Sequence, residues 1–263
     1  MDLQLKNKLF IVTGASSGFG RAIASMLSQE KAGVIAVARG MDKLKALQEK
    51  HPDIEVLSLD VTQPESLDVM VESVGERDLS GLVVNAGGPP AKAFLETNME
   101  DWDQAYRQIL RWKVDLVQTF LPLFEKNNYG RYLFIESISV KQPVPNLVLS
   151  TSLRMAVTGF VKTLSNEIAL SGITANVMAP GMHMTPALER LIRKNSEVEG
   201  ISFEEAKEKI IVGVPVKRTG SVDDFASLAL LLLSPVSSYI TGQTITVDWG
   251  ACLLYGSVAA DDC

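Results

Sequence analysis

Three glycines stand within one short segment, and their spacing suits the close approach of a phosphate group. The segment reads Thr13-Gly14-Ala15-Ser16-Ser17-Gly18-Phe19-Gly20 and lies between an apolar run, Leu9 to Val12, and a helical pattern, Arg21 to Ser28. The first glycine permits a tight turn, the second lets a pyrophosphate reach the main chain, and the third lets the helix pack closely on the strand. Free N–H groups at the helix start then face the anion. We predict a dinucleotide site contacted by Gly14, Ser16, Ser17, Gly18, Phe19 and Gly20.

The end of the next apolar run, Val34 to Ala38, bears on which dinucleotide is bound. An acidic residue there accepts a hydrogen bond from the ribose 2′-hydroxyl and repels a 2′-phosphate. Here the run is followed by Arg39 and Gly40, without a carboxylate. Because a guanidinium makes fork-like contacts with phosphate, we expect NADP rather than NAD, with Arg39 as a ligand. A solvated loop position for Arg39 is the alternative.

Seven short apolar runs alternate with stretches long enough for crossover helices. The alternation predicts an α/β fold, in which one doubly wound sheet of seven parallel strands is covered by helices on both faces. The predicted strands are Leu9–Val12, Val34–Ala38, Ile54–Leu59, Gly81–Val84, Tyr132–Ile135, Thr174–Met178 and Thr244–Val247.

The domain organisation is predicted to be simple. No linker, charge block or repeat divides residues 1–263, so we expect a single domain. The least regular stretch, residues 182–214, has a charged and helical middle from Pro186 to Lys209. Such a segment suits a substrate flap, and a plain surface insertion is the alternative.

Composition and charge exclude several classes of protein. The chain has 46% hydrophobic and 21% charged residues and a net charge of -6, which disfavours nonspecific binding to nucleic acids or anionic membranes. Its two cysteines, Cys252 and Cys263, form neither a disulfide framework nor a metal-ligand spacing. The richest apolar run, Leu228 to Leu233, is far too short for a membrane span. We expect a cytoplasmic protein without metal, membrane or nucleic-acid partner.

Further motifs at the predicted strand ends resemble the short-chain dehydrogenase/reductase family, from about residue 5 to about residue 250. The family's Thr-Gly-x₃-Gly-x-Gly pattern is met by the segment that begins at Thr13. Late matches are Arg218-Thr219-Gly220, Thr241-Gly242-Gln243 and Val247-Asp248-Trp249-Gly250. The resemblance implies a Rossmann-like fold and assigns cofactor contacts to three further elements. These are Asp60 and Val61 at the adenine, the family's Asn-Ala-Gly element at Asn85, Ala86 and Gly87, and Pro180, Gly181 and Thr185 at the nicotinamide. Taken singly, Asn85 could instead tie two strands together, and Pro180-Gly181 could be a plain turn.

The sequence departs from the family at the residues that catalyse hydride transfer. Ser137 matches the serine that orients the substrate, but the family spacing places Ser150 at the catalytic tyrosine and Arg154 at the lysine. Ile109 stands at the position of the proton-relay asparagine. The resemblance therefore names Ser137, Ser150 and Arg154 as the catalytic candidates, in an altered form of the site.

The replacements weaken the usual acid–base chemistry. A phenol has a reference pKa of ~10 that a nearby ammonium can lower, whereas an aliphatic hydroxyl titrates much higher. Ser150 is thus expected to be a poor proton donor. Arg154 stays protonated and cannot shuttle protons, but in the lysine's place its fork could hold the nicotinamide ribose hydroxyls.

Other groups are possible proton donors or substrate contacts. His183 lies beside the predicted nicotinamide loop and titrates near neutrality, although an exposed loop histidine is the preferred interpretation. Glu136 adjoins Ser137, but strand alternation predicts that it points to the other face in a structural role. Arg111 with Lys113 could offer charge to an acidic substrate, although a position on the helix surface is preferred for both.

Three functions follow from the resemblance. The first is an NADP-dependent oxidoreductase that acts on a carbonyl or alcohol, with a proton relay through Ser137 and water, His183 or a substrate group. The second is a catalytically impaired dinucleotide-binding or sensing protein, and non-redox chemistry such as that of a lyase or epimerase is a third. The family also implies a homodimer or homotetramer that pairs the helices Trp102–Phe124 and Ser150–Ala169. The segment Ala251 to Cys263 would either complete a subunit contact or fray.

Overall fold

A computed structural model describes residues 1–252 of the chain. Seven parallel strands form one sheet in the order β3-β2-β1-β4-β5-β6-β7. The strands are β1 (Leu9–Thr13), β2 (Gly33–Ala38), β3 (Ile54–Ser58), β4 (Leu79–Val84), β5 (Gly130–Ile135), β6 (Ile173–Pro180) and β7 (Thr244–Val247). Each predicted run coincides with one of them, with ends that differ by at most two residues.

Helices flank the sheet on both sides. In chain order they are α1 (Gly18–Gln29), α2 (Met41–Gln48), α3 (Glu65–Val74), α4 (Met99–Tyr106), α5 (Trp112–Asn127), α6 (Val148–Glu167), α7 (Pro186–Glu199), α8 (Phe203–Ile211) and α9 (Val222–Leu233). One apolar cluster packs α1, α2 and α9 on one face, and a second packs α3, α5 and α6 on the other. The predicted single-domain doubly wound class is confirmed.

The central strands are buried along their whole length because both faces of the sheet are covered. All five residues of β1 and all eight of β6 are buried. The strand order reverses between β1 and β4, so the loops that follow these two strands run to opposite sides of the sheet. A doubly wound sheet binds its ligands in the crevice that this reversal opens at the carboxyl ends of the strands.

The long helix predicted over Trp102–Phe124 is interrupted. A π-helical turn, Arg107–Arg111, separates α4 from α5. Such turns are uncommon and occur often beside functional sites, and the periodicity of the sequence does not reveal one. Ile109, in the middle of the turn, is buried in the core against α5 and α6.

The segment 182–214 folds into α7 and α8, which share a small apolar cluster of their own. Leu188 and Ile192 on α7 pack against Ala206 on α8, and Gly200 ends α7 in the left-handed conformation. The predicted charged helical stretch is therefore two helices. Within the described residues no helix combines the length and hydropathy needed to cross a membrane. The subunit contact or fraying predicted for Ala251 to Cys263 falls mostly on residues 253–263, which lie outside the described part.

Phe120 is completely buried between α5 and the sheet, so its removal leaves a cavity. We expect Phe120→Ala to lower the free energy of unfolding by about 3–5 kcal/mol. The fully exposed Leu170 supplies the matched control, since Leu170→Ala removes no buried contact and should change stability by about 0.5 kcal/mol or less. Urea denaturation followed by circular dichroism measures both. Equal losses in the two variants would contradict the assigned core.

Candidate active site

A cleft of about 1000 Å³ opens at the carboxyl ends of the strands, at the reversal between β1 and β4. Most of the residues predicted to contact a dinucleotide line this cleft, although they come from loops far apart in the sequence. They are Gly14, Ser16, Ser17, Gly18, Phe19, Arg39, Asp60, Val61, Asn85, Ala86, Gly87, Arg154 and Thr185.

The glycine-rich turn has the shape that a pyrophosphate requires. Gly14 has φ of +64°, and a Cβ there would lie 2.6 Å from the Asn85 side-chain nitrogen, so only glycine fits. A Cβ on Gly20 would lie 2.5 Å from the Gly14 carbonyl oxygen, because α1 packs directly on the turn. Ser17 precedes α1 without a side-chain cap, so its hydroxyl leaves the first N–H groups of the helix available to a ligand. These residues fit a dinucleotide.

Thr13 fixes the two loops that meet at the turn. Its hydroxyl donates to the Asn85 carbonyl oxygen at 2.8 Å and accepts from the Asn85 N–H at 2.8 Å. At the far side of the cleft the Asp60 carboxylate accepts hydrogen bonds from the N–H and the hydroxyl of Thr62. Both contacts stiffen the loops that a bound adenosine would touch.

The end of the cleft beyond β2 is basic. Arg39 is exposed there, and Lys43 on the first turn of α2 lines the same wall, together with the single carboxylate of Asp42. Sequence reasoning missed Lys43. The available signal was its position four residues after Arg39, at the start of a helical pattern.

Five predicted site residues do not line the cleft: Gly20, Ser137, Ser150, Pro180 and Gly181. Pro180 closes β6 opposite Val247, and the Gly181 N–H donates to the Val247 carbonyl oxygen at 3.0 Å, so this pair holds the sheet edge. Thr185 does reach the cleft and caps α7 by accepting from the Leu188 N–H. The Ser137 hydroxyl accepts from the Ser139 N–H at 3.2 Å.

His183 is buried, contrary to the preferred expectation of an exposed loop histidine. Only 5% of the residue is accessible, and its ring packs edge-on against Phe19 and Phe225. It does not line the cleft. Burial lowers the pKa of the ring, while a backbone contact with Gly181 opposes the shift. The ring therefore serves as packing between α1, α9 and the loop after β6.

The wall opposite the glycine turn carries a buried network of charges. The Glu136 carboxylate, just beyond β5, accepts from Lys113 on α5 through one oxygen and from Arg154 on α6 through the other, at 2.8 Å for Arg154. All three residues are at most 8% exposed. Desolvation by burial lowers the pKa of Lys113, although Glu136 opposes this and Arg154 adds to it.

Two expectations about this network were wrong. Glu136 was expected to point away from the site, yet it lines the cleft where Ser137 does not. Lys113 was expected on the helix surface, but its side chain is buried, because the π turn and the packing of α5 direct it inwards. Arg111 does lie on the surface, where it pairs with Asp115. No local pattern predicts this contact, because Lys113 and Glu136 are 23 residues apart.

Arg154 also contacts the hydroxyl that precedes it by one helical turn. Its Nε donates to Ser150 Oγ at 3.1 Å, which leaves the serine O–H free to donate elsewhere. The Arg154 Nη2 atom lies against Gly88. A Cβ added to Gly88 would lie 3.2 Å from Arg154 Nη2 and 4.0 Å from Ser150 Oγ. Gly88 lines the cleft and was missed by the sequence analysis.

Two glutamines complete this wall. Gln104 on α4 and Gln108 in the π turn both line the cleft, whereas the neighbouring Ile109 is turned into the core. The Gln108 carbonyl oxygen accepts from the Trp112 indole at 2.9 Å, which occupies one acceptor of the turn. On the opposite rim Ala187 and Arg190 reach the cleft from α7.

Removing the Glu136 charge leaves two buried cations without their counter-ion. We expect Glu136→Gln to lower the free energy of unfolding by about 3–5 kcal/mol. Glu55, which pairs with Arg77 at the surface, is the matched control, and Glu55→Gln should cost about 1 kcal/mol or less. Chemical denaturation of both variants measures the difference. A Glu136→Gln variant as stable as the wild type would contradict the network.

Because the folded-state pKa of His183 is lowered, the unfolded chain binds the proton more readily. The stability that this gives is present above the unfolded pKa of ~6.5 and is lost as pH falls below it. We expect the free energy of unfolding to decrease as pH falls below ~6.5, because protonation of the unfolded chain is favoured there. His183→Asn should flatten this slope. An unchanged slope would mean that another group is responsible.

Comparison with known proteins agrees with this geometry over nearly the whole chain. A family profile described as "Enoyl-(Acyl carrier protein) reductase" matches residues 14–252. The NADPH-dependent reductase BacG of Bacillus subtilis is 28% identical over 94% of this chain and 98% of its own length. The 3-oxoacyl-[acyl-carrier-protein] reductase FabG of Haemophilus influenzae is 31% identical over the same shares.

A solved structure shows the same architecture. The L-sorbose reductase of Gluconobacter frateurii, crystallised with NADPH and L-sorbose, superposes with a TM-score of 0.91 at 27% identity, over 97% of this chain and all of the other. With the glycine turn, the seven-stranded sheet and the cleft at its carboxyl edge, these similarities show that the chain belongs to the short-chain dehydrogenase/reductase family.

Proposed function

We propose that this protein is an NADP-dependent oxidoreductase that transfers hydride between the nicotinamide and a small carbonyl or alcohol substrate. The observation that carries the proposal is a single cleft that joins a phosphate-binding glycine turn, a basic end at Arg39 and a buried cation at Arg154. The names of BacG and of the sorbose reductase complex support NADPH as the cofactor.

The residues of the cleft divide into those that would hold each part of the cofactor. The N–H groups at the start of α1 would hold the pyrophosphate, and Arg39 with Lys43 the 2′-phosphate. Asp60 and Val61 would contact the adenine, and Thr185 the nicotinamide. When bound, NADPH supplies a hydride to the substrate carbon.

We assign the proton-side chemistry to Ser150, in the place of the family's tyrosine. Its oxygen accepts from the Arg154 guanidinium, so its O–H can donate to the carbonyl oxygen of a substrate beside Gly88. With hydride delivered to the carbon, the carbonyl oxygen would take the serine proton, and the serine alkoxide would then take up one proton from the solvent, so that the reduction consumes one proton overall. Arg154, in the lysine's place, stabilises the charge and transfers no proton. Ser137 stays a predicted substrate-orienting residue.

We further propose that residues 182–214 act as a substrate flap of the single domain. The segment carries Thr185, Ala187 and Arg190 at the cleft rim. Its two helices, α7 and α8, share a small apolar cluster that is separate from the two main clusters. A flap of this kind excludes water when substrate is bound. Assembly into a homodimer or homotetramer stays a prediction from the family.

A second function is a dinucleotide-binding or sensing protein without turnover. The replacement of the family's tyrosine, lysine and asparagine by Ser150, Arg154 and Ile109 favours it. Both functions need the cofactor, so turnover decides between them.

We expect the protein to oxidise NADPH in the presence of at least one member of a panel of ketones, aldehydes and oxo acids. Ser150→Ala should lower kcat by about 10²-fold without changing NADPH affinity, because it removes only the proton donor. Absorbance of the reduced nicotinamide measures the rate. NADPH binding without any turnover across the panel would favour the sensing protein.

Selectivity for the 2′-phosphate should reside in Arg39. We expect Arg39→Ser to weaken NADPH binding about 10-fold or more and to leave NADH binding unchanged, because a charge-assisted contact is lost. Lys45→Ser is the control, since Lys45 is exposed on α2 and does not line the cleft. Nicotinamide fluorescence titrations give the dissociation constants of both cofactors for the wild type and the two variants. Equal losses for both cofactors would place Arg39 outside the phosphate contact.

A further inference from the structure

We infer that the cleft binds a substrate carboxylate on Arg154 with the adjacent keto oxygen on Ser150, so that the substrate is a 2-oxo acid or the corresponding 2-hydroxy acid. The inference rests on the proposed function, since it names the substrate class of the same site.

The charge of the buried network is unbalanced. Lys113 and Arg154 carry two positive charges against the single carboxylate of Glu136, and no other acidic group among the described residues pairs with either cation. All three side chains are at least nine-tenths buried. A buried charge without a partner is unfavourable, so the network is complete only when an anion joins it.

The unused donor of Arg154 shows where that anion would lie. Nη1 donates to Glu136 and Nε to Ser150, whereas Nη2 has no acceptor within residues 1–252. Nη2 lies beside Gly88 on the wall of the cleft. Since glycine carries no side chain, the cleft reaches Nη2 at this point, and Ser150 Oγ, although it does not line the cleft, lies 4.0 Å from the Cβ position of Gly88.

A carboxylate satisfies this position better than a ribose hydroxyl. A hydroxyl accepts a hydrogen bond but leaves the positive charge unbalanced. A carboxylate supplies both a hydrogen-bond acceptor and a negative charge, and its shape matches the planar fork of arginine. This interpretation also explains why Arg154 stands in the position of the family's lysine. Its permanent charge and several N–H donors suit binding of a carboxylate and not proton transfer.

The spacing of the two donors selects the class of acid. The Cβ position of Gly88 lies 3.2 Å from Arg154 Nη2 and 4.0 Å from Ser150 Oγ, so groups that reach this guanidinium and this serine from beside Gly88 must be close neighbours in the substrate. In a 2-oxo acid the carboxylate and the keto oxygen stand on adjacent carbons. A 3-oxo acid separates them by a further methylene group, which fits adjacent donors less well.

The test measures binding to the NADPH-saturated protein by calorimetry. The probes are pyruvate, 2-oxobutanoate and phenylpyruvate, each against its uncharged primary amide. In the wild type we expect the acids to bind about 10- to 100-fold more tightly than the amides, from the charge-assisted contacts. Arg154→Gln should abolish this preference. Arg77→Gln, which changes an exposed arginine that pairs with Glu55 and lies outside the cleft and residues 182–214, should keep it.

A second variant guards against misfolding of Arg154→Gln. Gly88→Ala keeps the charge network but places a methyl group 3.2 Å from Nη2, so acids should bind more weakly while the amides change little. Amides that bind as tightly as acids, or no binding by any acid, would overturn the inference and leave the proposed function standing. So would an Arg154→Gln variant that loses NADPH affinity and keeps the acid preference. Failure of the wild type to bind NADPH would overturn both.

Discussion

The active-site wall depends on one buried carboxylate. Glu136, directly after β5, joins Lys113 on α5 to Arg154 on α6, and so ties two helices to the end of a central strand. A carboxylate between two desolvated cations has little freedom to move, because either lost contact leaves a charge buried without a partner. This contact therefore fixes the Arg154 guanidinium, and through it Ser150, at one position beside Gly88.

The sheet brings that wall opposite the cofactor-binding loops. Parallel strands end at the same edge, and the reversal of strand order at β1 and β4 keeps the loops apart. One end of the resulting cleft has Arg39 and Lys43, and the other has the Arg154 network, so both ends attract negative charge although the whole protein carries -6. In the proposal made above, the 2′-phosphate of the cofactor lies at the first end and the substrate carboxylate at the second.

Sequence reasoning predicted what is local or repeated. The seven strands could be predicted from apolar runs in the sequence. The glycine turn could be predicted from the spacing of Gly14, Gly18 and Gly20, because a strand that turns tightly into a helix requires glycine at these positions. The charge network could not be predicted in this way, since Lys113 meets Glu136 only because the π turn and the packing of α5 bring them together. His183 was misjudged for a similar reason, because its burial depends on Phe225, distant in the sequence.

The most direct test is a crystal structure of the protein with NADPH and 2-oxobutanoate. The account predicts a carboxylate oxygen within about 3 Å of Arg154 Nη2, the keto oxygen at Ser150 Oγ, and Glu136 still bound to Nη1. An Arg154 side chain that has left Glu136, or that contacts only a ribose hydroxyl while the acid lies elsewhere, would contradict it.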